Sequence, residues 1–223
     1  VLDFGGVVTR TLFETHAQTE HVLGLPPGTL TWRGPFDPEH DPLWCEMQAG
    51  RISERDYWMT RTREVGRLLG EDWDRMETLV RRARGADVQS MIRSQAEHTI
   101  DAAQAAGKRL ALLSNELDLF YGAALRDELP LLARFDVIVD ATHTGILKPD
   151  RRAYALVTVQ LGVAPAECVF VDDQWRNVEG ARDAGMQAVH FDVRQPQASY
   201  DLVLQLLGLP PGAAPSARPP PTG

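Results

Sequence analysis

The chain has 223 residues, 43% of them hydrophobic, with a formal net charge of −8 and a pI near 5.2. That length suits one α/β core with a modest accessory unit, and the acidic balance argues against nucleic acid or an anionic membrane as the main partner. No apolar run approaches the roughly 18 residues of a membrane span, and the two cysteines, Cys45 and Cys168, do not form a disulfide framework, so a cytoplasmic protein without a leader is expected.

In chain order, an apolar opening stretch ends at Asp3 as a short strand, and because Val1 is not Met, further residues are expected upstream. After Thr9 the pattern becomes helical for about eighty residues. Helices are predicted over 11–23, closing at Gly24, and over 42–49, closing at Gly50. A third starts at the capping-box-like Ser53-Glu54-Arg55-Asp56, with Trp58, Val65, Leu68 and Leu69 on one face, and a fourth spans 73–84. From Asp87 onward helices alternate with short apolar strands: strands at 109–113, 136–139, 168–171 and 188–191, and helices at 117–125, 150–161 and 177–184. Such alternation predicts an α/β fold, a doubly wound parallel sheet, with the helical stretch inserted after the first strand. The Pro-rich tail, residues 208–223, holds too few apolar residues to pack and is expected to be disordered.

Polar groups fall at or just beyond the ends of the apolar strands: Asp3, Ser114-Asn115, Lys148-Pro149 and the pair Asp172-Asp173. In open parallel sheets ligands bind outside the carboxyl ends of the strands, so these groups converge on one small anion. Lys148 stands out, because Lys108 and Lys148 are the only lysines among 23 basic residues, and a compact ammonium fits where a forked guanidinium does not. Response-regulator receivers also combine carboxylates with a Lys, but there the acidic pair comes first.

In this order and at these strand ends, the motifs resemble the four motifs of the haloacid dehalogenase (HAD) superfamily, in the subfamily whose helical cap follows the first motif, near the sugar-phosphatase and epoxide-hydrolase N-terminal phosphatase group. The resemblance implies a Rossmann-like core (residues 1–10 and 86–207), a helical cap (11–85) and a Mg²⁺-dependent bacterial hydrolase, monomer or homodimer, acting on a small phosphorylated metabolite. It implies that Asp3 attacks phosphorus and that Mg²⁺ is held by Asp3, the Gly5 carbonyl and Asp173, with Asp172 and Asn177 in support. Ser114 and the N–H of Asn115 would bind a phosphoryl oxygen, and Lys148 would neutralise charge around Asp3.

One position departs from the pattern. Typical phosphatases of the superfamily carry a second Asp two residues after the nucleophile, as general acid and base; here Gly5 stands there. General acid–base catalysis contributes roughly 100- to 10,000-fold, so the chain is expected to favour good leaving groups (anomeric, aryl or acyl phosphates) or to draw its acid from elsewhere. Some sugar-phosphate phosphatases of the superfamily resemble it in this glycine. A metal-independent carbon–halogen hydrolase also lacks the second Asp but does not keep the acidic pair. Phosphonate-cleaving relatives need a cap Lys, and residues 10–85 contain none. A non-catalytic phosphate-ligand binding protein is the remaining alternative.

For substrate choice, the Pro-stiffened loop 31–38 offers Trp32 and Arg33, which would stack on and pair with the substrate; the competing reading is that its aromatics staple the loop to the cap. Arg10 and His16 are weaker candidates of the same kind. Trp44, Tyr57 and Trp58 read as cap core, and Arg81-Arg82-Ala83-Arg84 reads as a solvated helix end.

Overall fold

The computed structural model describes residues 1–85 and 88–211, so most of the tail expectation lies outside the described residues, as does Asp87. At the centre of the sheet lies the N-terminal segment itself. Leu2 bridges in parallel to both Leu112 and Val171. Its N–H donates to the Ala111 carbonyl at 2.8 Å and its carbonyl accepts from Leu113 N–H at 3.0 Å, while Asp3 N–H donates to the Val171 carbonyl at 2.9 Å. On one side lie β1 (Ala111–Ser114) and its parallel partner β2 (Val137–Asp140); on the other lie β3 (Val169–Asp172) and β4 (Gln187–His190), also parallel. The spatial order is therefore β2, β1, residues 1–3, β3, β4, and β1 and β3 are buried along their whole length, as continuous apolar runs require.

Four helices precede the rest of the core: α1 (His16–Leu23), α2 (Pro42–Gln48), α3 (Glu54–Leu68) and α4 (Met76–Arg84). They are followed by α5 (Ser94–Ala105), α6 (Leu117–Tyr121), α7 (Leu125–Glu128), α8 (Ala141–Thr144), α9 (Arg151–Leu161), α10 (Trp175–Asp183) and α11 (Pro196–Leu206). Apolar side chains of α5 and α11, among them Ile100, Tyr200 and Val203, pack with Leu2, Leu112 and Val171. Tyr154 and Val157 of α9 and Ala181 of α10 pack with Leu113, Val139 and Phe170 in a separate cluster. The sheet is thus covered on both faces, and its polar carboxyl edge is left to form a crevice.

The first four helices build their own apolar cluster around Phe13, whose ring lies 5.2 to 6.4 Å from those of His16, Trp32, Trp44, Tyr57 and Trp58. Buried Asp41 organises the loop over it: the carboxylate accepts from the N–H groups of Gly34 and Trp44, from the Tyr57 hydroxyl and from Arg61. The Ser53–Asp56 capping box forms as read. The buried pair Arg93–Glu14, with Arg93 also donating to the Gly6 carbonyl at 3.1 Å, ties the first helical turns to the sheet.

Beyond Asp3 the chain leaves the sheet, and Phe4–Val8 winds into a wide turn closed by Thr9 N–H on the Phe4 carbonyl at 3.0 Å. Several local expectations need correction. Residues 117–125 are not one helix: Gly122, at φ 82°, separates α6 from α7. Leu68 is 51% exposed and is not on the buried face of α3. The helix α11, with Pro196 in its first turn and Tyr200, Val203 and Leu204 buried, was not foreseen, although the signals of a Pro start and helical spacing are present.

Candidate active site

Asp3, Ser114 and Asp172 end adjacent strands, and Lys148 reaches them from the loop between α8 and α9. The Lys148 ammonium donates to Asp3 Oδ1 at 2.7 Å and to Asp172 Oδ2 at 2.6 Å, with its side chain 2% exposed. Asn115 sets this loop: its amide donates to the Lys148 carbonyl at 3.2 Å and its Oδ1 accepts the Lys148 N–H at 2.7 Å. Asp172 is held in turn by the Gln174 N–H at 2.8 Å and by the Asn177 amide at 3.0 Å. Burial alone would lower the Lys148 ammonium, but the Asp172 and Asp3 carboxylates outweigh it and hold the proton more tightly than usual.

Asp173 is different. No hydrogen bond reaches its carboxylate among the described residues, and one of its oxygens lies within 4.8 Å of an oxygen of Asp3 and of an oxygen of Asp172. Burial, and then the charges of Asp172, Asp3 and Glu54, push its carboxyl well above the ordinary range. Asp3 is raised to about 7, by burial first, against the opposing pull of Lys148. Gly6 gives way to this group: at φ 78°, it has no room for a side chain, since a Cβ there would meet Asp173 Oδ2 at 2.6 Å.

A cleft of about 770 Å³, counting its open mouth, rises from these groups. Asp3, Gly5, Ser114, Lys148 and Asp173 form its polar floor, and Phe13, Trp44, Trp58 and Phe120 form an aromatic wall. Contacts between the helical insert and the sheet side ring the cleft: Gln48 donates to Gln174 at 3.0 Å, Arg55 pairs with Glu116 at 3.1 Å and Arg176 with Glu54 at 3.7 Å.

Four carboxylates (Asp3, Asp172, Asp173 and Glu54) thus face one ammonium and one guanidinium. The two uncompensated negative charges, together with the hydrogen-bond-free carboxylate of Asp173, fit a divalent cation, since hard cations take oxygen ligands and buried like charges repel. The residues present therefore suit Mg²⁺.

Among the residues singled out from sequence, Asp3, Gly5, Ser114, Asn115, Lys148, Asp173 and Arg10 line the cleft, and Asp172 lies just beneath it, holding Lys148. Trp32 and Arg33 do not line it, which corrects the expected specificity loop. Trp32 is 6% exposed, packed on His16 at 4.2 Å and Phe13 at 5.5 Å, because a large ring gains more from the aromatic cluster than from an open cleft. Arg33 points to solvent. His16 is buried beside Trp32, which with the nearby Arg33 charge lowers its imidazolium to about 4.

Several cleft residues were missed, Glu54, Arg84 and Tyr121 among them. Glu54 follows the capping Ser53 and lines the cleft, with its carboxyl raised by burial and by Asp172. Arg84, taken for a solvated helix end, lies over the Tyr121 ring at 5.8 Å, and burial lowers its guanidinium. Tyr121 lines the cleft from α6. The capping box did mark Glu54 as the residue left over by the Ser53–Asp56 pair; nothing local marked Tyr121 or Arg84.

A doubly wound parallel sheet with a carboxylate, a lysine and an acidic pair gathered at its carboxyl edge defines the class of HAD-type hydrolases. The chain belongs to the haloacid dehalogenase-like hydrolase family, whose sequence profile matches residues 1–185. Among its relatives, Acyl-CoA dehydrogenase family member 10 of Mus musculus is 33% identical over 112 residues, 50% of this chain and 10% of that protein. Phosphatase MT3486 of Mycobacterium tuberculosis is 35% identical over 114 residues, 51% of this chain and 52% of that protein. The chain thus spans about half or less of the length of these relatives. In fold it is similar to an L-2-haloacid dehalogenase of Xanthobacter autotrophicus with chloropropionic acid covalently bound, at TM-score 0.54 and 24% identity over 91% of this chain and 80% of that one. No helix among the described residues is long and apolar enough to cross a membrane.

Proposed function

We propose that the chain is a Mg²⁺-dependent phosphatase of a small phosphorylated metabolite, working through an aspartyl-phosphate at Asp3. The observation that carries this reading is the carboxylate excess around Asp173, which suits a metal and has no use in a metal-free site. The naming of one relative as a phosphatase supports it further.

Lys148 engages Oδ1 of Asp3, which leaves Oδ2 as the nucleophilic oxygen. That oxygen attacks phosphorus in line, forming the acyl phosphate, and water then cleaves it. Ser114 Oγ and the Asn115 N–H bind a phosphoryl oxygen, and Lys148 offsets the charge that gathers in the transition state. Asp172 keeps Lys148 in place, with Asn177 and Gln174 fixing the carboxylate. Asp3, the Gly5 carbonyl and Asp173 would hold Mg²⁺, which would supply positive charge against the phosphoryl oxygens and the excess carboxylates. Asp3 must be ionised both to attack and to ligate, so its raised pKa of about 7 makes the free site favour neutral to alkaline pH.

Carbon–halogen hydrolysis is the second reading, favoured by Gly5, since that chemistry needs no second acid at this position. Phosphate release from a panel of phosphorylated metabolites and an aryl phosphate, with Mg²⁺ and with chelator, for wild type and Asp3→Asn, separates the two. Release that requires both Mg²⁺ and Asp3 supports the phosphatase. Metal-independent chloride release from a haloacid, with no phosphate release, would replace it by the dehalogenase.

A further inference from the structure

Gly5 leaves the ordinary acid–base position without a side chain, and the space beside it has an occupant. Gly5 has φ −69° and ψ 126°, open to any residue, and a Cβ built there would meet a single heavy atom within 4 Å: the Tyr121 hydroxyl oxygen, at 4.0 Å. A side chain at position 5 would point toward that hydroxyl. Tyr121 is fixed from two directions, with its ring edge-on to Phe4 at 5.0 Å between centroids and its hydroxyl 3.2 Å from Thr9 Oγ1. Thr9 Oγ1 also accepts the Gly6 N–H at 3.4 Å, so the phenol is tied to the same turn that follows Asp3. The Arg84 guanidinium lies 5.8 Å from the Tyr121 ring centroid, and its buried Nε has no hydrogen-bond partner.

We propose that Tyr121 is a catalytic residue, its hydroxyl giving the leaving oxygen the proton that Gly5 cannot supply. The proposal rests on the phosphatase reading above. As Asp3 Oδ2 bonds to phosphorus, the ester P–O bond breaks and its electron pair stays on the leaving oxygen, which takes the Tyr121 proton. Burial opposes the tyrosinate that remains, and the Arg84 guanidinium over its ring and the Thr9 hydroxyl at 3.2 Å offset part of that cost. When water cleaves the aspartyl-phosphate, the tyrosinate takes a proton from the attacking water, and phenol and free phosphate result. Glu54 and Glu116 are the other carboxyls on the cleft besides those of the floor, but each is paired with an arginine, Glu54 with Arg176 at 3.7 Å and Glu116 with Arg55 at 3.1 Å.

A phenol helps most where the leaving group is a poor one. Nitrophenolate departs without a proton, whereas an alkoxide does not. The test compares phosphate release from nitrophenyl phosphate, phenyl phosphate and glycerol phosphate by wild type, Tyr121→Phe, Glu54→Gln and the double variant Tyr121→Phe/Gly5→Asp, with thermal melts as the folding control. Tyr121→Phe keeps the ring against Phe4. It is expected to retain nitrophenyl phosphate activity within about threefold and to lose about 100-fold on glycerol phosphate, with Gly5→Asp restoring the latter. A uniform loss across the three esters, no loss on any, or a leaving-group-dependent loss in Glu54→Gln in place of Tyr121→Phe overturns the role of Tyr121 and leaves the phosphatase standing. Absence of Asp3-dependent release from every ester in the wild type overturns both.

Discussion

Replacing Lys148 by Met removes the ammonium that lies 2.7 Å from Asp3 and 2.6 Å from Asp172 and leaves most of the side-chain volume in place. Both carboxylates are nearly shut off from solvent, with side chains 13% and 0% exposed, so water cannot take over the lost partner. Breaking a buried pair by removing one partner costs about 3–5 kcal/mol, and here two charges lose the same counterion. With a urea slope of about 2.5 kcal/mol/M, the unfolding midpoint at about pH 8 in chelator should fall by about 1–2 M. The loss depends on pH with a definite sign. Asp3 already titrates at about 7 with the ammonium present and moves higher without it, so at low pH it is neutral and donates to Asp172. At about pH 5.5 the loss should be smaller by about 1 kcal/mol, the most that one carboxyl titrating from about 7 upward contributes by pH 8. Urea titrations of both proteins at both pH values measure this. A loss below about 1 kcal/mol at the higher pH, or equal losses at the two, would refute the claim that Lys148 is the counterion of a buried carboxylate pair.

The raised carboxyls of Asp3 and Asp173 favour the folded state at low pH, and that contribution is lost as pH rises above their ordinary value of 3.8, through about 7 in the case of Asp3. Metal-free protein should therefore lose stability across that window, and Mg²⁺ should raise Tm more at about pH 8 than at about pH 5, with the alkaline shift abolished in Asp173→Asn. Equal Mg²⁺ shifts at the two pH values in differential scanning fluorimetry would contradict this. Trp32→Ala should cost about 3–5 kcal/mol through the cavity left beside Phe13 and Trp58, whereas the milder Trp32→Phe should lower Tm with kcat/KM unchanged. Arg33→Ala should change neither, and a raised KM in either Trp32→Phe or Arg33→Ala would restore the loop as a specificity element.

The sequence by itself determined the alternation of short apolar strands and helices, and hence the parallel sheet. It also placed Asp3, Ser114 and the acidic pair at strand ends, because period and polarity are local properties that survive any packing, whereas Lys148 comes from the loop between α8 and α9. It determined the capping box at Ser53 for the same reason. Tertiary structure alone decided which aromatics face the cleft. Trp32, Trp44 and Trp58 look alike along the chain, yet Trp32 is walled in by His16 and Phe13 while Trp44 and Trp58 line the cleft. The Arg84 guanidinium was equally ambiguous, since whether a charged helix end meets water or a Tyr121 ring depends on what the helix docks against. Tyr121 and Gly5 are more than a hundred residues apart and carry no shared local signal. They meet because α6 follows β1, the strand hydrogen-bonded to the one that ends at Asp3.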